Sequence, residues 1–485
     1  MKNQNRAPLV DALKKYQENR PAYFCIPGHR YERGMGQRWL SENECGFLKY
    51  DLTEADGLDD LHQPSGVIAE AQELLAELYG ADKSYFLVNG TTCGNEAMLL
   101  GTLKEGDKIL VPRNVHKSVL QGMILSGAKP VYLMPRWMET AGIAGGISPE
   151  EVRRALETDE DIRAVFLVSP SYYGVCSDIR SIAEICHAFG VPLLVDEAHG
   201  SHLYFSKRLP AGALELGADA CAQSFHKTTA ALTQSSVLHI KRERINVDRM
   251  EKALKLVQST SPSYLLMASL DNSRYELAHR GREMAEKALD MAEDARRQIQ
   301  KISHMRCLCE EDVKGRSETA GLDGTRLVFE CENMSGYELQ KLLRKKYQVE
   351  TELSDARNVL AIVTFANDEE DIRKLVDALE DIGKEDRTGK TVTVNAAMPL
   401  PKPAVMSPRE AYFAESRPVK WELAVGKTAA EMIAPYPPGI PLICPGECLT
   451  KEIYDVIETC RRQGCHFHGP GDESLTTFKV IEKEP

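Results

Sequence analysis

An α/β fold built on a mostly parallel sheet is predicted by three observations. Seven short β-rich runs lie between residues 84 and 240, helical patterns separate them, and several runs are apolar almost throughout, as strands covered on both faces are. The runs are Ser84–Val88, Lys108–Val111, Pro130–Met134, Ala164–Ser169, Val191–Asp196, Ala220–Ser224 and Ser235–Ile240. Between them, Val67–Tyr79 carries Ile68, Ala71, Leu74, Leu75 and Leu78 at helical spacing, with Gly80 as a stop. Ser148-Pro149-Glu150-Glu151 reads as a capping box with proline at the first helical position.

After Ile240 the pattern changes. Gly281–Gln300 places Met284, Ala288, Met291, Ala295 and Ile299 on one stripe, which predicts a long helix leaving the first domain. A smaller α/β unit follows: a strand at Arg326–Glu330, a capping box at Ser335-Gly336-Tyr337-Glu338, strands near Val349–Leu353 and Leu360–Phe365, and a helix around Asp371–Ile382. Lys384–Val405, polar and then proline-rich, reads as a linker. A further capping box at Ser407-Pro408-Arg409-Glu410 opens the C-terminal stretch, which contains the stiff run Pro435–Pro445. The expected organisation is an N-terminal arm over 1–30, a large domain over 31–300, a small α/β domain over 301–385 and a C-terminal domain over 386–485.

Composition narrows the class of function. The 485 residues include 60 Lys and Arg against 72 Asp and Glu, a formal charge of −12, with 43% hydrophobic and 27% charged residues. That balance describes a soluble globular chain and argues against a general nucleic-acid surface. No run approaches the ~20 apolar residues of a membrane span, and the N-terminus lacks an apolar signal region. Thirteen scattered cysteines, an odd number, suit reduced thiols in a cytoplasm.

Three segments carry chemistry. Ser224-Phe225-His226-Lys227 follows a predicted strand, and a lysine at that edge can form a Schiff base with an aldehyde. The apolar strand Val191–Val195 ends in Asp196-Glu197-Ala198-His199, offering a carboxylate for a protonated ring nitrogen. Asn89-Gly90-Thr91-Thr92-Cys93-Gly94-Asn95, between a strand and a helix, offers small residues, hydroxyls and helix N-terminal amides for a phosphate. Alone, each has an ordinary explanation: a surface lysine, a capping aspartate, a glycine-rich turn. Together, at successive strand ends, they match the aldehyde, ring nitrogen and phosphate of pyridoxal phosphate. No GxGxxG follows the first strand, and Gly90–Gly94 lacks the lysine of a nucleotide-binding loop. Cys444, Cys448, Cys460, Cys465, His466 and His468 cluster in sequence, but their spacing is not that of a zinc site, and no metal is expected.

The order GTTCGN, PRNVHKS, VDEAHG, SFHK, ALTQSS and PYPPGIPLICPGE resembles the Orn/Lys/Arg decarboxylase family of fold-type-I pyridoxal-phosphate enzymes, in particular its short bacterial, biosynthetic arginine decarboxylase-like branch. The resemblance runs from Pro8 to about Glu473. It implies the aspartate aminotransferase-like fold with a seven-stranded, mostly parallel sheet, the large domain holding the cofactor. It also implies decarboxylation of a basic amino acid, arginine first and then lysine or ornithine, to the corresponding amine and CO2.

By the same resemblance Lys227 would hold the cofactor covalently, Asp196 would face the pyridine nitrogen and His116 would stack on the ring. Gly90, Thr91, Thr92, Ser224 and His226 would bind or border the phosphate, and His199 would stand near the ring's phenolic oxygen. Ser261, in Ser259–Tyr264, would reach the phosphate of a neighbouring subunit, implying a homodimer. Pro27-Gly28-His29-Arg30 and Asp59-Asp60-Leu61-His62 resemble segments near the active-site mouth. Glu447 has two readings, a partner for the substrate's distal cation or a structural salt bridge. An aminotransferase or aldolase-type lyase on the same fold, or a non-catalytic cofactor-binding protein, is the alternative.

Overall fold

The computed structural model describes residues 3–18, 22–31, 33–35, 46–385, 404–436, 439–462 and 464–482. All seven expected strands form, and they meet in one sheet: β1 (Lys83–Leu87), β2 (Lys108–Pro112), β3 (Lys129–Leu133), β4 (Ile162–Val168), β5 (Leu193–Asp196), β6 (Ala220–Gln223) and β7 (Ser236–Ile240). Their order is β1-β7-β6-β5-β4-β2-β3. Only β7 runs against its neighbours; β6, β5, β4, β2 and β3 pair in parallel.

Both faces of the sheet are buried, which explains the unbroken apolar runs. Successive residues alternate between two cores: Phe86, Leu110, Val165, Leu193, Val195 and Val237 face one, and Leu87, Ile109, Phe166, Leu194, Ala222 and Leu238 the other. The first core is closed by α1 (Val67–Tyr79), which stops at Gly80 in the left-handed region as its sequence requires. The second is closed by α2 (Gly90–Thr102) and α3 (Lys117–Ser126). A Cβ on Gly94 would stand 2.8 Å from Leu87 Cδ1 and 3.0 Å from the Ala222 Cβ, so the missing side chain lets α2 lie directly on β1 and β6. The expected capping box at Ser148 is not made. Ser148 is the N-cap and Pro149 the first helical residue, but the Ser148 side chain makes no cap bond, and Glu151 pairs with Arg136 at 2.8 Å instead.

A helix expected from Gly281 begins at Tyr264 and runs 36 residues to Ile299 (α4), with Ser263 capping the amide of Leu266. Its first half hid its period because the buried face carries the ion pair Asp271–Arg274, 2.8 Å apart, among Met267, Leu270 and Leu277. Its second half packs Ala288, Ala292, Ala295 and Ile299 into a separate core. That core lies under a four-stranded antiparallel sheet ordered β8-β9-β11-β10, formed by β8 (Met305–Cys307), β9 (Arg326–Cys331), β10 (Leu353–Ser354) and β11 (Asn358–Ile362). The strand expected near Val349–Leu353 is confined to β10. Two helices complete this unit, α5 (Gly336–Tyr347) and α6 (Glu369–Lys384), and the capping box at Ser335 is formed.

The C-terminal stretch builds its own core of Val419, Trp421, Ile433, Ile443, Leu449, Ile453, Phe478 and Val480 beneath α7 (Lys451–Arg462). The capping box at Ser407 is present. Most of the expected linker, residues 386–403, and two prolines of the stiff run, Pro437 and Pro438, lie outside the described residues.

The close seat of α2 is open to test. Gly94→Val is expected to lower unfolding stability by about 1–3 kcal/mol through overpacking against Leu87 and Ala222, measured by urea denaturation.

Candidate active site

In a parallel sheet the strands end at one edge, and side chains just beyond them converge there. The ends of β1, β5 and β6 share such an edge. They deliver Gly90–Asn95, Asp196–His199 and Ser224–Lys227 to one cavity of about 470 Å³. Gly90, Thr91, Thr92, His116, Asp196, His199, Ser224, His226 and Lys227 all line it.

At one end the N-terminus of α2 faces the cavity. Its N-cap, Asn89, makes no side-chain cap bond; the Gly90 amide donates to the carbonyl of Gln234 at 2.9 Å, and the amides that follow it in the turn face the cavity without a cap from Asn89. Gly90 sits at φ +70°, a conformation that disfavours any side chain. The Thr91 hydroxyl meets Ser224 Oγ at 2.5 Å and donates to Ser236 Oγ at 3.2 Å. His226 is turned partly aside, its Nδ1 2.9 Å from the carbonyl of Ser235. The result is a cluster of hydroxyls and positive helix-end dipole suited to an anion.

Asp196 is nearly buried and held from two sides. Asn95 Nδ2 donates to its Oδ2 at 2.8 Å and the amide of Ala198 to its Oδ1 at 3.1 Å. Asn95 also donates to Ser118 Oγ at 2.9 Å. Ser118 in turn lies 2.9 Å from His116 Nδ1, and His116 is the N-cap of α3. One polar chain therefore fixes the carboxylate and the His116 ring together. Desolvation, reinforced by Lys227 and Lys117, holds the His116 imidazole below its ordinary range against the pull of Asp196.

Lys227 Nζ lies 3.0 Å from His199 Nε2 and 5.4 Å from the ring centre of Tyr172. Burial lowers the Lys227 amine, with Asp196 and Glu352 opposing the shift. Burial also drives His199 well below the usual imidazole range, helped by Lys227 and Arg326. A neutral His199 accepts from Lys227 through Nε2, and its buried Nδ1 has no partner among the described residues. The Tyr172 ring packs 4.3 Å from His199, centre to centre. The site thus presents an amine biased toward its nucleophilic form, a carboxylate and an anion cradle around one cavity.

Two expected site residues stand elsewhere. Glu447 as a substrate contact is corrected by the geometry. Its carboxylate is 2% exposed, takes Arg113 in a two-pronged pair at 2.5 and 2.7 Å, and accepts from the amide of Cys444 at 2.8 Å. Arg113 also donates to the carbonyls of Pro441 and Leu442 and lies over Tyr132. Both carboxylate oxygens are thereby occupied, and the structural reading of Glu447 is the one the contacts carry. Ser261 is exposed, outside this cavity, in a loop tied by His62 Nε2 to the carbonyl of Ser259 at 2.7 Å.

Near the N-terminus, Asp59 accepts from the amides of Ser65, Gly66, Ile68 and Ala69 and so secures the start of α1. His29 pairs with Asp51 at 3.1 Å. Among the described residues no three His, Cys, Asp or Glu side chains gather as metal ligands, and the cysteines form no disulfide.

Several contributors were not assigned from sequence. Asn95 and Ser118 stood inside quoted motifs, but nothing in their spacing shows that they meet across two helices. Tyr172 follows the end of β4, and its strand-end position was the available signal. Glu197, beside Asp196, points the other way: it accepts from Gln223, Tyr204 and the amide of Ala213 at 2.7, 2.9 and 2.7 Å. Burial pushes its carboxyl up to about 7 despite these bonds.

Fold and cavity together are those of a fold-type-I enzyme, with a lysine beyond a strand end facing the cavity. The sequence model of the Orn/Lys/Arg decarboxylase major domain matches residues 7–333, and that of the family's C-terminal domain residues 390–474. The chain belongs to this family and is an amino-acid decarboxylase. It is 38% identical to the arginine decarboxylase of Halalkalibacterium halodurans, over 100% of this chain and 99% of the relative. It is 37% identical to the arginine decarboxylase of Bacillus subtilis strain 168, over 99% of each. Its fold matches the crystal structure of the Francisella novicida lysine decarboxylase with a TM-score of 0.87 at 22% identity, covering 98% of this chain and 81% of that one.

Two outcomes follow for the site's supports. Glu447→Ala leaves Arg113 buried without its counter-charge and is expected to cost about 3–5 kcal/mol in a denaturant melt. Glu197 titrates near 7 in the folded chain and nearer the ordinary carboxylate range when unfolded, so folding takes up a proton between those values. Its contribution to stability is therefore greatest below the unfolded value and falls as pH rises toward 7. Glu197→Gln is expected to flatten that part of the Tm-against-pH curve, whatever it does to the mean Tm.

Proposed function

We propose that the chain decarboxylates arginine to agmatine and CO2 with pyridoxal phosphate as its cofactor. The observation that carries this reading is the Lys227 amine, biased toward neutrality and 3.0 Å from His199, in the cavity that also holds Asp196 and the uncapped end of α2. The choice of arginine rests on full-length similarity to chains named arginine decarboxylases.

The donor set fits this cofactor. Thr91, Ser224 and the α2 amides that follow Gly90 would hold its phosphate, Asp196 its ring nitrogen, His116 its ring face and Lys227 its aldehyde carbon. The unpartnered Nδ1 of His199 offers a donor for a ring oxygen. When bound, pyridoxal phosphate supplies the electron sink that accepts the pair left behind as CO2 departs.

The protein's share is orientation and proton control. Asn95 and the Ala198 amide stabilise Asp196 as an acceptor and fix where its charge is applied. The Ser118 link holds His116 in one orientation. The product amine needs one proton on the carbon that lost CO2. Lys227 in its ammonium form is the donor the cavity offers, and the neutral His199 Nε2, 3.0 Å away, accepts a hydrogen bond from it and so orients it. Ser259, Thr260 and Ser261 are exposed, which leaves Ser261 open to serve a neighbouring subunit's phosphate in a homodimer. Described cysteines that form no disulfide fit a cytoplasmic setting.

Purified protein given arginine, lysine or ornithine is expected to release CO2 and agmatine from arginine without a keto-acid co-substrate. A keto-acid requirement would point to an aminotransferase. Lys227→Ala is expected to abolish turnover and the bound-cofactor absorbance together, and borohydride trapping of the wild type should label the peptide containing Lys227. Wild-type turnover by the alanine variant would reject the assignment.

A further inference from the structure

With Glu447 spent on Arg113, the distal cation of the substrate needs another counter-charge. Asp196 and Glu352 are the two carboxylates that pull most strongly on the Lys227 amine. Asp196 lies deep in the cavity and is committed to Asn95 and Ala198. Asp355, behind the cavity-lining Tyr173, accepts from the hydroxyl of that tyrosine and from the amides of Arg357 and Asn358. Glu352 differs from all of these. It is exposed, its backbone is fixed by a bond from its amide to the carbonyl of Leu360 at 2.9 Å, and Tyr172 Oη donates to its Oε1 at 3.0 Å.

Tyr172 makes the connection to the reacting end. Its ring lines the cavity beside His199 and Lys227, while its hydroxyl reaches outward to Glu352. Resting on the reading above, we infer that Glu352, positioned by Tyr172, is the specificity carboxylate that meets the distal cation of the substrate, with the Tyr172 ring as the surface its side chain crosses. The chemistry suits a guanidinium in particular. A planar cation stacks on an aromatic face and forks onto a carboxylate, and among the described residues the bond from Tyr172 takes Oε1 of Glu352 and none takes Oε2.

The test compares arginine with citrulline, whose urea group has nearly the same shape without the charge. Glu352→Gln is expected to raise KM for arginine at least about tenfold, to lower kcat less, and to reduce the preference for arginine over citrulline by the same factor. Agmatine affinity by isothermal titration calorimetry should weaken in parallel, while the bound-cofactor absorbance persists. Discrimination and agmatine affinity both within twofold of wild type would overturn the inference. A wild-type protein that releases CO2 from no basic amino acid would instead overturn the functional reading, so the two failures are distinguishable.

Discussion

The desolvation of one amine organises this molecule. A lysine in water stays charged; Lys227, withdrawn into a cavity at the edge of the sheet, is biased toward its neutral form. The bias survives only while its surroundings are rigid and mostly dry, and much of the fold can be understood as providing that. Asp196 supplies opposing charge at fixed range, His199 is kept neutral and cannot repel the amine, and Tyr172 closes one side with its ring. Each of these groups is itself held by a neighbour: Asp196 by Asn95, the His199 carbonyl by Arg326 at 3.0 Å, Tyr172 by Glu352.

The adjacent carboxylates Asp196 and Glu197 show how a strand divides labour. Successive side chains point to opposite faces. Asp196 therefore reaches the cavity while Glu197 turns inward to Tyr204, Gln223 and the Ala213 amide. One anchors the loop and the other works from it. The raised carboxyl of Glu197 is the cost of holding that loop from within an apolar core.

Much of this was legible in the chain. The seven strands announced themselves because burial on both faces leaves an unbroken apolar signature, and Asp196, Lys227 and Gly90–Thr92 stood out because chemistry limits which residue types can follow a strand end. The start of α4 was hidden because Asp271 and Arg274, a buried pair, interrupt the apolar period with charge. The fate of Glu447 was hidden for a different reason. A carboxylate near a glycine-rich turn looks the same whether it awaits a ligand or an arginine, and its partner lies 334 residues away in sequence. Nor could spacing show that Asn95 and Ser118 touch, since they belong to two helices that meet only when the second core closes.

That long-range clasp has a consequence for the order of synthesis. Arg113 emerges first, and the groups that receive its charge, the carbonyls of Pro441 and Leu442 and the carboxylate of Glu447, follow it by 328, 329 and 334 residues. At ~5–20 residues per second, the ribosome leaves that guanidinium without its counter-charge for roughly 20 s to a minute. Gly439 and Ile440, part of the cavity wall, arrive in the same late segment. A nascent chain therefore carries Lys227 and Asp196 long before it has a finished chamber around them, because Gly439 and Ile440 follow both by more than 200 residues.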